Sequence, residues 1–142
     1  MAYAELHCVS NFTFLRGASH PQELVRTASA LGYSALAITD ECSLAGVVKA
    51  HVAAQDYGLQ LIVGSEFRLE GQRLIILVSN RQSYAELSAL ITTARRRSSK
   101  GEYQLKWTDL SGNLPNSLLI WLPSGDLEPD HEVGERLSYW FK

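Results

Sequence analysis

The chain has 142 residues, one domain's length by the usual prior, and its 46% apolar and 20% charged residues are those of an ordinary globular protein. Thirteen basic residues against fifteen acidic ones, a net charge of −2, argue against a free-standing nucleic-acid binder, which carries a basic excess. No run reaches the roughly 18 apolar residues of a membrane span, no basic-then-apolar leader opens the chain, and Cys8 and Cys42, outside any CxxC pair, read as buried reduced thiols of a cytoplasmic protein.

"AELHCV" (4–9) alternates apolar positions and stops at Ser-Asn, which predicts a strand. "SHPQELVRTASALGY" predicts a helix, with Ser19 or His20 at the cap, Pro21 in the first turn and Gly32 at the end. "SALAITD" (34–40) is an almost unbroken apolar run, as in a parallel strand covered on both faces. A second helix (43–58) closes at Gly58, and "LQLIVGSEF" (59–67) is a third strand. "FRLEGQRLIILVSN" reads as two strands turning at Glu70-Gly71. A third helix (82–97) ends in three arginines, where the helix dipole favours cations. The stretch 98–115 is polar loop with one turn around "WTDL", "SLLIWLP" (117–123) is another buried strand, and "HEVGERLSYWFK" starts a helix.

Strands alternating with helices define an α/β fold with a mostly parallel sheet, whose functional groups gather at the C-terminal strand ends. Those ends carry His7, Asp40 and Glu66. One imidazole and two carboxylates suit zinc, manganese or iron. Each residue also has a simpler role: Asp40 could cap the second helix, and Glu66 could pair with an arginine. Among the other histidines, His20 reads as a helix-start residue, His51 as a surface residue, and His131 as part of an acidic turn. Arg95, Arg96, Arg97 and Lys100 could meet phosphates, or simply form a solvated basic helix end. No phosphate-cradling GxxxxGK[ST] loop and no nucleophile elbow occurs.

The stretch "ELHCVSNFTFLRGASHPQELVRTASALGYSALAITDECSLAGVVKAHVAA…GLQLIVGSEF" resembles the N-terminal PHP (polymerase and histidinol phosphatase) domain of C-family bacterial DNA polymerases. The resemblance runs from Tyr3 to about Thr93 and is closest to the error-prone branch used in damage-induced mutagenesis and translesion synthesis. It implies that residues 1–142 are part of a distorted (β/α)7 PHP barrel with mostly parallel strands. It also implies an N-terminal fragment of a much longer nucleotidyl transferase. Metal-binding members of that family have a second histidine where Val9 stands, an aspartate at Arg16, a histidine at Glu41 and a histidine at Arg73, while His7, Asp40 and Glu66 match ligand positions. Arginine cannot be neutralised in a protein. Arg16 and Arg73 are therefore expected to exchange the metal for salt bridges with Asp40, Glu41 or Glu66.

Two functional classes follow from the resemblance. One is a catalytically inactive structural module with no cofactor of its own, working through the other domains of a Mg2+-dependent polymerase. DNA, the sliding clamp and mutagenesis accessory proteins would be reached through that parent, and no membrane is involved. The alternative is a metal-dependent phosphoesterase or 3'-5' exonuclease holding Zn2+ or Mn2+ on His7, Asp40 and Glu66. An α/β protein unrelated to the family is a third, remote possibility.

Overall fold

A computed structural model describes residues 3–141. The chain divides into two compact units, Met1–Glu66 and Phe67–Lys142.

The first unit contains β1 (Ala4–Cys8), α1 (Pro21–Ala30), β2 (Ala35–Ile38), α2 (Val47–Tyr57) and the Gln60–Glu66 part of β3 (Gln60–Leu69). β2 pairs in parallel with both β1 and β3, in register Ala35↔Ala4 and Ala35↔Gln60. The parallel order requires crossovers, and α1 and α2 supply them. Val25, Ala28, Leu36, Ile38, Ala50, Ala53, Ala54 and Leu59 form the core. Four of those eight side chains are alanines, which let the two helices lie close over the sheet. Every residue of β2 is buried, as its unbroken apolar run predicts.

The second unit contains the end of β3, then β4 (Gln72–Val78), α3 (Arg81–Arg96), the single turn α4 (Trp107–Leu110), β5 (Ser117–Leu122) and α5 (Leu127–Trp140). Glu70 and Gly71 both have positive φ, 49° and 85°. That is the backbone of a tight two-residue hairpin turn, and it explains the Glu-Gly pair between β3 and β4. β4 is buried through Leu74–Leu77, and Asn80 caps α3 by accepting from Ser83 N at 2.9 Å. β5 runs antiparallel to β4, with Ile75 opposite Ile120. An apolar run alone does not set strand direction: the 16-residue α3 lies between the two strands, yet they pair in opposite senses.

Two boundaries differ from the sequence reading. α2 begins at Val47, because Ala45–Gly46 forms a turn before it, and its N-cap is Gly46 with no side-chain cap bond. Asp40 therefore does not cap it. His131 lies inside α5, exposed and 3.4 Å from Glu135, and not in a turn. Among the described residues, no helix is long and apolar enough to cross a membrane.

Candidate functional site

The parallel pairing brings the C-terminal ends of β1, β2 and β3 side by side, and Glu41 makes an isolated parallel bridge with Glu66. The β1 end delivers His7, the β2 end Asp40 and Glu41, and β3 delivers Glu66. The loop between β1 and α1 brings Arg16 to the same strand ends.

Glu66 is fully buried, and its carboxylate meets an imidazole and a guanidinium. His7 Nε2 lies 2.7 Å from Glu66 Oε2. Arg16 clamps the same carboxylate with Nη1 to Oε1 at 2.8 Å and Nη2 to Oε2 at 3.1 Å. Its Nη1 also reaches Glu41 Oε2 at 2.6 Å. The two-pronged contact uses the planar fork of the guanidinium. Hydrogen bonding to Glu66, then to Glu41, holds the Arg16 pKa above its ordinary value against the opposing effect of burial.

Asp40 is 1% exposed and engages neutral donors instead. Ser10 N donates to Oδ1 at 2.7 Å, Ser10 Oγ to Oδ2 at 2.7 Å and Thr13 Oγ1 to Oδ1 at 2.6 Å. Thr13 Oγ1 in turn accepts from Glu41 N at 3.0 Å. The carboxylate thus ties down the loop that carries Arg16. Gly17 closes the loop so tightly that a Cβ there would sit 2.0 Å from Ser10 O. Gly46 packs against the same carboxylate, with a Cβ position 3.0 Å from Asp40 Oδ2. Ser10 and Thr13 escaped the sequence reading, because a serine and a threonine in a loop give no spacing signal that names their acceptor.

Of the seven positions singled out by resemblance, the structure joins His7, Arg16, Glu41 and Glu66 in one charged cluster. Sequence reasoning placed His7, Asp40 and Glu66 in one ligand set. The structure bonds His7 to Glu66 and turns the Asp40 carboxylate to Ser10 and Thr13. Val9 is half-buried just after β1, and Arg73 lies in the second unit, opposite Leu122 in the β4–β5 ladder. A divalent cation beside the Arg16 guanidinium would meet repulsion on the order of several kcal/mol even at an effective dielectric of about 20. Among the described residues, no three His, Cys, Asp or Glu side chains are grouped so as to hold a metal ion. The donor set therefore does not fit one.

The basic run is partly engaged within its own unit. Arg95 donates to the carbonyls of Gly101 and Glu102, and Arg97 binds Asp109 through both guanidinium nitrogens. Arg96 and Lys100 are exposed.

This arrangement of strand ends agrees with a family match. The PHP-domain model covers residues 5–120, and the chain belongs to the PHP family. Within it, the chain is similar to error-prone DNA polymerases: it is 57% identical over 141 residues to that of Dechloromonas aromatica, covering 95% of this chain and 14% of the relative. It is 58% identical over 124 residues to that of Saccharophagus degradans, covering 87% of this chain and 12% of the relative. The chain thus spans about one-eighth of the length of these relatives. Among solved structures, a Bifidobacterium adolescentis protein assigned as a metal-dependent phosphoesterase matches with a TM-score of 0.55 and 25% identity, covering 67% of this chain and 34% of its own.

Proposed function

We propose that this chain is the N-terminal part of an error-prone DNA polymerase and serves it as a PHP module without hydrolytic chemistry of its own. The observation that carries the reading is the Arg16 clamp on the buried Glu66, a fixed cation built into the strand ends of a PHP domain. An internal guanidinium neutralises the carboxylates permanently and leaves no open position for a substrate phosphate or an activated water. The module's work is then mechanical: it holds a folded strand-end surface against the remaining domains of the parent. DNA-directed synthesis, with Mg2+ as its ion, belongs to those domains. DNA, a sliding clamp and mutagenesis accessory proteins are partners of the parent, in damage-induced and translesion synthesis in the cytoplasm. The phosphoesterase likeness supports the fold and supplies no ligand set.

Elemental analysis of tag-free protein dialysed against trace zinc and manganese tests this reading. The expected result is metal well below one atom per chain and no nucleotide incorporation in a primer-extension assay. One bound ion per chain, lost on His7→Ala, overturns it in favour of a metal-dependent hydrolase.

A further inference from the structure

The second unit holds a feature the PHP site does not use. An open groove of about 520 Å³ runs between the β3–β4 turn and the segment leading into α4, lined by Arg68, Glu70, Tyr103, Leu105, Lys106 and Trp107. Both aromatic rings are fixed. The Tyr103 hydroxyl accepts from Arg68 N at 2.8 Å, and Trp107 Nε1 donates to Glu70 Oε2 at 2.6 Å. Part of each ring is already covered, Tyr103 by Arg95 at 5.3 Å and Phe67 at 6.4 Å and Trp107 by Arg136 at 4.9 Å and Trp140 at 6.1 Å between centroids, and the surface that remains is what lines the groove.

Charge is distributed unevenly along the chain. Phe67–Lys142 contains ten of the thirteen basic residues but nine of the fifteen acidic ones. The run from 95 to 108 holds five basic residues, Tyr103 and Trp107 against a single carboxylate, Glu102. The net charge of −2 conceals this local excess. Glu70 is the acidic residue in the groove, and its carboxylate is engaged in holding the indole.

We propose that this groove binds single-stranded nucleic acid, with bases against Tyr103 and Trp107 and phosphates on Lys106 and Arg68. Aromatic faces accept any base, and flanking cations track the backbone, so the recognition is independent of sequence. Ordered rings reduce the entropy lost on binding. Arg96 and Lys100 are exposed in the same basic run, while Arg97 is compensated by Asp109. The polymerase reading enters only in choosing nucleic acid over an acidic peptide.

The test is fluorescence anisotropy of a labelled 20-nucleotide oligo-dT with the whole chain, at several salt concentrations, with poly-glutamate as a second probe. Binding should weaken with salt with a log–log slope of about −1.5 to −2, as for two or three phosphates. Trp107→Ala should weaken binding about tenfold, Trp107→Phe should restore most of it, and Lys106→Glu should weaken it comparably. Lys106 is exposed, so that variant decides the matter if Trp107→Ala does not fold. Absence of binding at low salt, indifference to Lys106→Glu, or equal affinity for poly-glutamate overturns the proposal. None of those outcomes bears on the polymerase reading, which stands or falls on metal content and primer extension.

Discussion

Asp40 and Glu66 end neighbouring strands of the first unit and are buried to the same extent, 1% and 0% exposed, yet their charges are met by opposite means. Asp40 accepts from a backbone amide and two hydroxyls. Glu66 is bound by an imidazole and a bidentate guanidinium. Buried carboxylates need compensation in either case, and the source of it decides what they do. Neutral donors from one loop make Asp40 an anchor for that loop. A guanidinium and an imidazole from two separate segments make Glu66 the centre of a polar cluster. The anchor also serves the cluster, since the loop that Asp40 holds is the one that carries Arg16.

The largest effect should come from breaking the cluster. Arg16→Ala removes the bidentate partner of a fully buried carboxylate and should cost about 3 kcal/mol in urea denaturation. That is the low end for a broken buried pair, because the Arg16 side chain itself keeps 28% of its exposure. Arg16→Lys should recover only part of the loss, since an ammonium cannot bridge both oxygens. A loss below about 0.5 kcal/mol would mean that the cluster carries no weight in the fold.

Next comes the anchor. Asp40→Ala leaves Ser10 N, Ser10 Oγ and Thr13 Oγ1 without this acceptor and should cost about 2 kcal/mol. The loop should also loosen. Phe14 and Leu15 are 83% and 89% exposed at its tip, so chymotrypsin should cut there faster in Asp40→Ala than in wild type. Unchanged cleavage would show that Gly17 and the loop's backbone hydrogen bonds suffice to hold it. Salt sharpens the contrast: the Arg16 contribution should shrink in 1 M NaCl, and the Asp40 contribution should not.

The smallest effect concerns protons. Burial, then the Glu5 and Asp40 carboxylates, push the Cys8 thiol up to about 11 from an ordinary 9.0. The folded state therefore retains a proton that the unfolded chain gives up. Its contribution to stability is complete below pH 9 and is lost as pH rises from about 9 to 11. Cys8→Ala should lack that alkaline loss, a difference of about 1 kcal/mol after solvent screening is discounted. Thermal melts from pH 8 to 11 would read it. Asp109 shows the opposite sign: Arg97 holds its carboxyl below the usual range, so the pair's contribution is present at neutral pH and is lost on acidification through that lowered pKa.

Much of the fold was legible because periodicity and punctuation are local signals. The unbroken run 35–38, Gly58 after α2 and the Glu70-Gly71 turn each state their role within a few residues. Strand direction was not legible, since β5 reads the same parallel or antiparallel. Strand-end logic brought His7 and Glu66 together, and the PHP resemblance drew attention to Arg16. What neither revealed was where the Asp40 carboxylate turns. Its donors are small hydroxyl residues 27 and 30 positions away, and loop closure selects them without any pattern in the chain. The Tyr103–Trp107 groove was hidden for a different reason: total charge averages a basic half with an acidic one.

Glu66 is also the last residue of the first unit, 50 positions after Arg16. A ribosome adding about 5–20 residues per second delivers it roughly 3–10 s later. For that interval the nascent chain has His7, Arg16 and Glu41 but not the carboxylate that both His7 and Arg16 contact. The first unit can complete its charge cluster only when its final residue has been made. The side-chain contacts that tie the ends of β1 and β3 to the loop between them thus depend on a residue made near the end of β3.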